Sequence, residues 1–145
     1  MRVRVLLCLA LTPLSCDLDV REVRYPDVAA ARSGGAFTRG WLPDVLPEDA
    51  RDISERHDLD TNVTWACFST PSGVGVVRSK LGLLKARRVA WPSTASPGRP
   101  WWPAAMKSPG VEAYEFSEDH DLTVIVGLDP NGSAACFQRR LEPRR

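Results

Sequence analysis

The sequence predicts an α+β fold, in which an antiparallel sheet of about four strands carries one or two helices on one face. Two observations predict this fold. Near its end the chain alternates strand-like segments with short polar turns, and its middle holds two stretches whose apolar residues recur at helical spacing. The chain has 145 residues, the length of one domain. We expect a signal peptide and a tether to precede the folded part.

The first residues have the order of a secretory signal. Arg2 and Arg4 give a positive start, residues 5–11 form a continuous apolar run, and Pro13 interrupts it. The run is far shorter than the roughly 20 residues that a membrane-spanning helix needs. The alternative is a buried N-terminal strand, but a positive charge followed by an apolar run at the N-terminus favours the signal.

The end of this segment resembles the lipobox of bacterial lipoprotein precursors, in the residues Leu14-Ser15-Cys16. The family has a leucine three positions before the cysteine, where this sequence has Pro13. The resemblance implies that Cys16 is acylated and becomes the first residue of the mature chain. Residues 1–15 are then a signal peptide, residues 16–40 the lipid attachment and tether, and residues 41–145 a single α+β domain. Cleavage without lipid, and no processing, are the alternatives.

Charge and cysteine content follow from this processing. The net charge is +1, and removal of two arginines with the signal makes it −1 (+1 − 2). Neither value gives the basic field that collects nucleic acid, so we expect no nucleic-acid partner. Cys8 leaves with the signal, which leaves Cys67 and Cys136 to form a disulfide in an oxidising compartment. Two buried thiols are the alternative.

The predicted domain begins with a helix over residues 47–56. Pro47 suits a first helical turn, and Ala50, Ile53 and His57 recur on one helical face. Residues 62–70 then alternate as in a strand. A second helix is expected within residues 71–89, although Gly75 and Gly82 weaken it.

The rest of the domain divides into a loop and a meander. Five prolines between residues 90 and 110 exclude a regular element there. Three strands are expected over residues 111–118, 121–128 and 133–139. Between the last two, Asp129-Pro130-Asn131-Gly132 predicts a type I turn followed by a left-handed glycine. The strand over residues 62–70 is expected to join these three.

A motif from Trp41 to Asn62, WLPxxLPxxAxxI followed by HDLDTN, is similar to one in small uncharacterised exported bacterial proteins. The resemblance covers roughly residues 41–68. It implies export and no particular activity.

Two histidine sites are the weak candidates for catalysis, His57-Asp58 and His120-Asp121. Imidazole beside carboxylate can move protons or hold a divalent metal, but the spacing matches no diagnostic motif. Solvated turn residues are the simpler interpretation. We therefore expect no metal and no cofactor, and we leave a small secreted hydrolase or metal-dependent enzyme as the alternative function.

The proline-rich loop holds the candidate binding residues Trp91, Trp101 and Trp102. Aromatic rings on a stiff loop can stack on sugars or anchor a protein partner, whereas a lid over the sheet is the alternative. The expected function is a non-enzymatic binding or structural module of the bacterial cell envelope, membrane-anchored or secreted. Its expected partners are the membrane, through the lipid, and an envelope protein or glycan.

Overall fold

A computed structural model describes residues 19–119 and 121–141. Cys16 and His120, for which a lipid and a catalytic role were predicted, lie outside these residues. The described strands and α-helices, in chain order, are β1 (Val20–Asp27), α1 (Val28–Ser33), β2 (Arg51–Asp58), β3 (Val63–Ser69), α2 (Val74–Leu83), β4 (Arg87–Val89), β5 (Glu112–Asp119), β6 (Leu122–Leu128) and β7 (Ala134–Leu141). Two short 3₁₀ helices, Ser93–Ala95 and Ala104–Lys107, lie between β4 and β5. None of the described helices is long and apolar enough to cross a membrane.

The predicted fold class was wrong. The regular structure is mostly one antiparallel sheet of seven strands in the order β1-β2-β3-β7-β6-β5-β4, with two short helices, rather than an α+β fold with about four strands. The chain builds this sheet from two meanders. β1 to β3 form one, β4 to β7 form the other, and the two meanders meet where β3 pairs with β7.

The helix predicted over residues 47–56 is also wrong, because β2 occupies Arg51–Asp58. Asp52 has a φ of +51°, and the pairing of β2 with β3 shifts between Arg51 and Ser54. This bulge starts the strand irregularly. From there Ile53, Glu55 and His57 alternate onto one buried face.

β1 lies in the segment for which a tether was predicted. It pairs with β2 along its length, with Val23 opposite Glu55 and Tyr25 opposite Ile53. The chain then turns directly into α1, whose N-cap Asp27 accepts a hydrogen bond from the Ala30 amide at 2.8 Å. Residues 20–33 are thus part of the folded domain, with β1 in the sheet and α1 packed on one face of it.

The C-terminal meander follows the expected strands closely. β5, β6 and β7 pair antiparallel, with Val126 between Tyr114 and Phe137. In the turn before β7, Gly132 has a φ of +77°, the left-handed conformation predicted there. The second predicted helix is shorter than the segment proposed for it, since α2 covers Val74–Leu83.

Both faces of the sheet are covered. On the first face, the two helices and the connection between α1 and β2 bury an apolar core with Ile53, Phe68, Val124 and Phe137. On the second face, residues 90–110 pack Trp102 and Met106 against Cys67 and Cys136 of the sheet. Because adjacent strand residues point to opposite faces, the sheet serves two separate clusters.

Candidate ligand-binding site

The loop of residues 90–110, here called the tryptophan loop, covers the second face of the sheet. Trp102 is buried, with 5% of its surface exposed, whereas Trp91 and Trp101 are half-buried. The loop therefore closes over the sheet as a lid and still leaves two indole rings partly accessible. The sequence had presented the lid and the binding surface as alternatives.

Trp91 is fixed at one end of this loop. Its indole Nε1 donates a hydrogen bond to the Met106 carbonyl oxygen at 2.9 Å. Its ring stacks on Trp102, with centroids 6.3 Å apart and planes 12° apart. The same ring lies against the sheet at Gly127, where a side chain would collide with it. Trp91 is consequently held in one orientation before any ligand arrives.

The other end of the tryptophan loop is tied to the edge strand β1 through Glu22. The Arg99 Nε donates to Glu22 Oε2 at 2.7 Å, and the Trp101 Nε1 donates to Glu22 Oε1 at 2.9 Å. The loop thus reaches across the second face from β6 to β1. No sequence pattern linked Glu22 to residues so far along the chain.

A cavity of about 630 Å³ opens beside Trp91, between the start and the end of the tryptophan loop. Its lining includes Trp91, Ser93, Ser96, Lys107 and Ser108, and no acidic residue. The volume falls within the range of small-molecule sites, and an aromatic wall with a few polar groups is typical of them.

Two of these serines accept a backbone hydrogen bond within the tryptophan loop. Ser96 Oγ accepts from the Gly98 amide at 3.2 Å, and Ser108 Oγ accepts from the Gly110 amide at 3.3 Å. Because a hydroxyl has one hydrogen and two lone pairs, each serine can still donate to a further oxygen. The cavity therefore offers an apolar wall and hydroxyl groups together.

The expected disulfide between Cys67 and Cys136 lies beneath the tryptophan loop. The two residues are directly opposite each other on β3 and β7, and their sulfur atoms are bonded. Both are buried in one cluster with Trp102 and Met106. The bond joins the two meanders under the candidate site.

His57 is 3% exposed, on the first face of the sheet. Trp41 packs edge-on against its ring, with centroids 5.0 Å apart. Burial lowers the pKa of His57, the Arg139 charge lowers it further, and the Asn62 side chain opposes both. A histidine that is covered and held neutral in this way is not presented to a substrate.

The remaining residues of the two histidine sites are spread along one end of the sheet. Asp58 closes the turn after β2, where its Oδ1 accepts from the amides of Asp60 and Thr61. Asp121 precedes β6, which is separated from β2 by β3 and β7, or roughly 14 Å at the usual strand spacing. Among the described residues no group of three or more His, Cys, Asp or Glu could hold a metal ion.

Glu55 is the unusual ionisable group that the sequence analysis missed. It is 1% exposed, and neither carboxylate oxygen has a hydrogen-bond partner among the described residues. Burial raises the pKa of Glu55 to about 7, against an opposing effect of the Arg39 charge. His57 Nδ1 lies 4.0 Å from Glu55 Oε1. Period-two alternation with Ile53 and His57 was the signal that would have placed it inside.

Residues 19–69, about a third of the chain, match the family model of the YbbD head domain. This part of the chain, which includes β1, α1, β2 and β3, is therefore similar to a bacterial YbbD head domain. Comparison with curated proteins and with solved structures finds no match to the chain. The matched residues end before the tryptophan loop, so the match carries no information about the cavity.

Proposed function

We propose that this protein is a non-enzymatic binding module of the bacterial cell envelope, which binds a glycan in the cavity beside Trp91. A lipid on Cys16 would hold it at the membrane. The single observation that carries the proposal is the cavity of about 630 Å³ walled by a fixed indole ring.

The indole ring and the hydroxyl groups of the cavity wall suit a sugar ring, and they lie beside two cations, Arg88 and Lys107. An indole ring is flat and apolar, so it can stack on the C–H face of a sugar. Ser93, Ser96 and Ser108 supply hydroxyl groups for the sugar oxygens. Pro92, directly after Trp91, and the four further prolines of the tryptophan loop stiffen it, so little conformational entropy is lost when it binds.

Three further features support the envelope location. The chain begins with a signal-like segment and the lipobox-like Leu14-Ser15-Cys16. Cys67 and Cys136 form a disulfide, which is typical of exported proteins. Residues 19–69 are similar to a bacterial domain.

The test is a titration of the full chain with short N-acetylglucosamine oligosaccharides. Tryptophan fluorescence and the NMR signals of the indole N–H groups monitor the binding. We expect saturable changes, with the Trp91 signal moving most. Ser93→Ala and Lys107→Ala, both at exposed positions in the cavity wall, should weaken binding severalfold without unfolding the protein.

Ser72→Ala provides the matched control, because Ser72 is exposed, lies outside the cavity and hydrogen-bonds to Asp49. It should leave binding unchanged. Absence of any saturable change with the oligosaccharides would refute the glycan assignment. Capture of an envelope protein whose binding Lys107→Ala abolishes would replace the glycan with a protein partner.

A further inference from the structure

The two edges of the sheet are built differently. At one edge β4 is three residues long and carries the adjacent cations Arg87 and Arg88. At the other edge β1 has eight residues, and no described residue pairs with its outer side. A short edge with charges of one sign discourages strand addition, whereas a long edge exposes a row of hydrogen-bonding groups, interrupted in β1 at Pro26, which has no N–H. Only β1 is long enough to accept another strand.

The charges along β1 are complementary to themselves. Glu22 and Arg24 lie on the second face, on either side of Val23, which lies on the first face. If a second copy of β1 pairs antiparallel about a two-fold axis at Val23, each Glu22 lies opposite the Arg24 of the other copy. Opposite charges in facing positions stabilise a strand pair, and like charges destabilise it.

The neighbouring registers are worse. A two-fold axis at Glu22 would place two Glu22 carboxylates opposite each other, and an axis at Arg24 would do the same with two guanidinium groups. A two-fold axis midway between two neighbouring residues would pair a first-face residue of one copy with a second-face residue of the other. Charge and face together therefore select the register centred on Val23.

We propose that β1 is a homodimer interface, in which two copies of this chain join edge to edge, with Val23 opposite Val23, to form one continuous sheet. The Glu22 carboxylate already accepts one hydrogen bond from Arg99 and one from Trp101, but a carboxylate can accept about four. The Arg24 of the other copy would therefore add to the tie that holds the tryptophan loop. A single strand pair is a small interface, so we expect a dimer that dissociates on dilution.

The first test is sedimentation of the full chain over a range of concentrations. The wild type should show a monomer–dimer equilibrium. Arg24→Glu should shift it to monomer, since each Glu22 would then face a carboxylate of the other copy instead of a guanidinium group, and Glu22→Arg should do the same. Mixing the two variants should restore dimers, because two acidic positions then face two basic ones.

The matched control is Arg87→Glu, which reverses a charge on the opposite edge of the sheet. It should sediment like the wild type. Circular dichroism should show that each variant is folded. A wild type that stays monomeric at every concentration overturns the proposal, and so does a dimer that persists in Arg24→Glu.

The second test fixes the register. Facing Cα atoms in an antiparallel pair are about 4.5–5.5 Å apart, within the range that a disulfide spans. Val23→Cys should therefore form a reducible dimer under mild oxidation, whose cross-linked peptide contains residue 23 twice. Arg21→Cys is the control, since its two copies would be about 13 Å apart along the strands. A dimer that Arg24→Glu disperses, but that Val23→Cys does not cross-link, would overturn this register.

Discussion

The carboxyl group of Glu55 is buried, and the Arg39 charge offsets only part of the effect of burial on its pKa. Its pKa is raised to about 7, so the folded state holds a proton that the unfolded chain releases near pH 4.5. Between these values the folded state binds more protons than the unfolded state, and the free energy of unfolding falls as the pH rises. The loss reaches about 3 kcal/mol above pH 7, because each unit of pKa shift corresponds to about 1.4 kcal/mol.

Glu55→Gln should remove this pH dependence. A neutral amide costs some stability at pH 5, since a buried amide also lacks partners, but it does not ionise at pH 8. The free energy of unfolding of the variant relative to the wild type should therefore rise by up to about 3 kcal/mol between pH 5 and pH 8. Urea denaturation at several pH values measures the difference.

Burial shifts the pKa of His57 in the opposite direction to that of Glu55. Its pKa is lowered, so stability contributed by neutral His57 is lost as the pH falls below about 6.5. Both proteins retain His57, so the comparison measures Glu55 together with its effect on His57, whose Nδ1 lies 4.0 Å away. Glu48→Gln is the control, since Glu48 is exposed and its pKa is lowered by Arg32, which confines its effect to acidic pH. A constant difference between Glu55→Gln and the wild type from pH 5 to pH 8 would contradict the assignment.

At the scale of elements, the contact between β6 and the tryptophan loop depends on Gly127. A methyl group added there would come within 2.5 Å of Met106 Cε and 2.9 Å of Trp91 Cε3. Gly127→Ala should push the loop away from the sheet and lower the free energy of unfolding by about 1–3 kcal/mol, the usual cost of overpacking. It should also weaken the proposed glycan binding, because Trp91 would move.

Gly82→Ala is the matched control for this substitution. Gly82 lies within α2, with open space around it, so alanine should stabilise the protein by about 0.5–1 kcal/mol through helix propensity. In thermal unfolding, the midpoint temperature should fall for Gly127→Ala and rise for Gly82→Ala. Equal stability of Gly127→Ala and the wild type would show that the loop does not pack on β6 as described.

The strands that could be predicted from the sequence are those in which apolar residues dominate. β6 is almost entirely apolar, β7 begins with four apolar residues, and the turn between them carries the residues that its backbone requires. β2 was predicted as a helix because Glu55 puts an acid at a core position and conceals the period of two. β1 was missed because four charged residues and a proline occupy its eight positions.

The candidate site was predictable in part, for a related reason. Three tryptophans in a proline-rich loop pointed to the right segment. The cavity could not be predicted, since it depends on how residues 91–93 and 106–109 come together on the sheet. The tie to Glu22 and the burial of His57 depend on contacts between distant segments, which local patterns do not encode.

At the scale of the whole molecule, the disulfide joins two meanders that otherwise meet only where β3 pairs with β7 within the sheet. Cys67 and Cys136 are separated by 69 residues, and a bond that closes a loop of this length limits the entropy of the unfolded chain. The loop-entropy model gives about 4 kcal/mol. Cys67→Ala combined with Cys136→Ala should therefore lower the free energy of unfolding by about this amount.

Urea denaturation with and without a reducing agent tests this expectation. Reduction should destabilise the wild type about as much as the double substitution does, and should leave the double variant unchanged. Unfolding should remain a single transition in each case, because the core on the first face includes residues of both meanders, such as Phe68 and Phe137. Two separate transitions in the double variant would instead mean that the bond, rather than the shared core, makes the two meanders one folding unit.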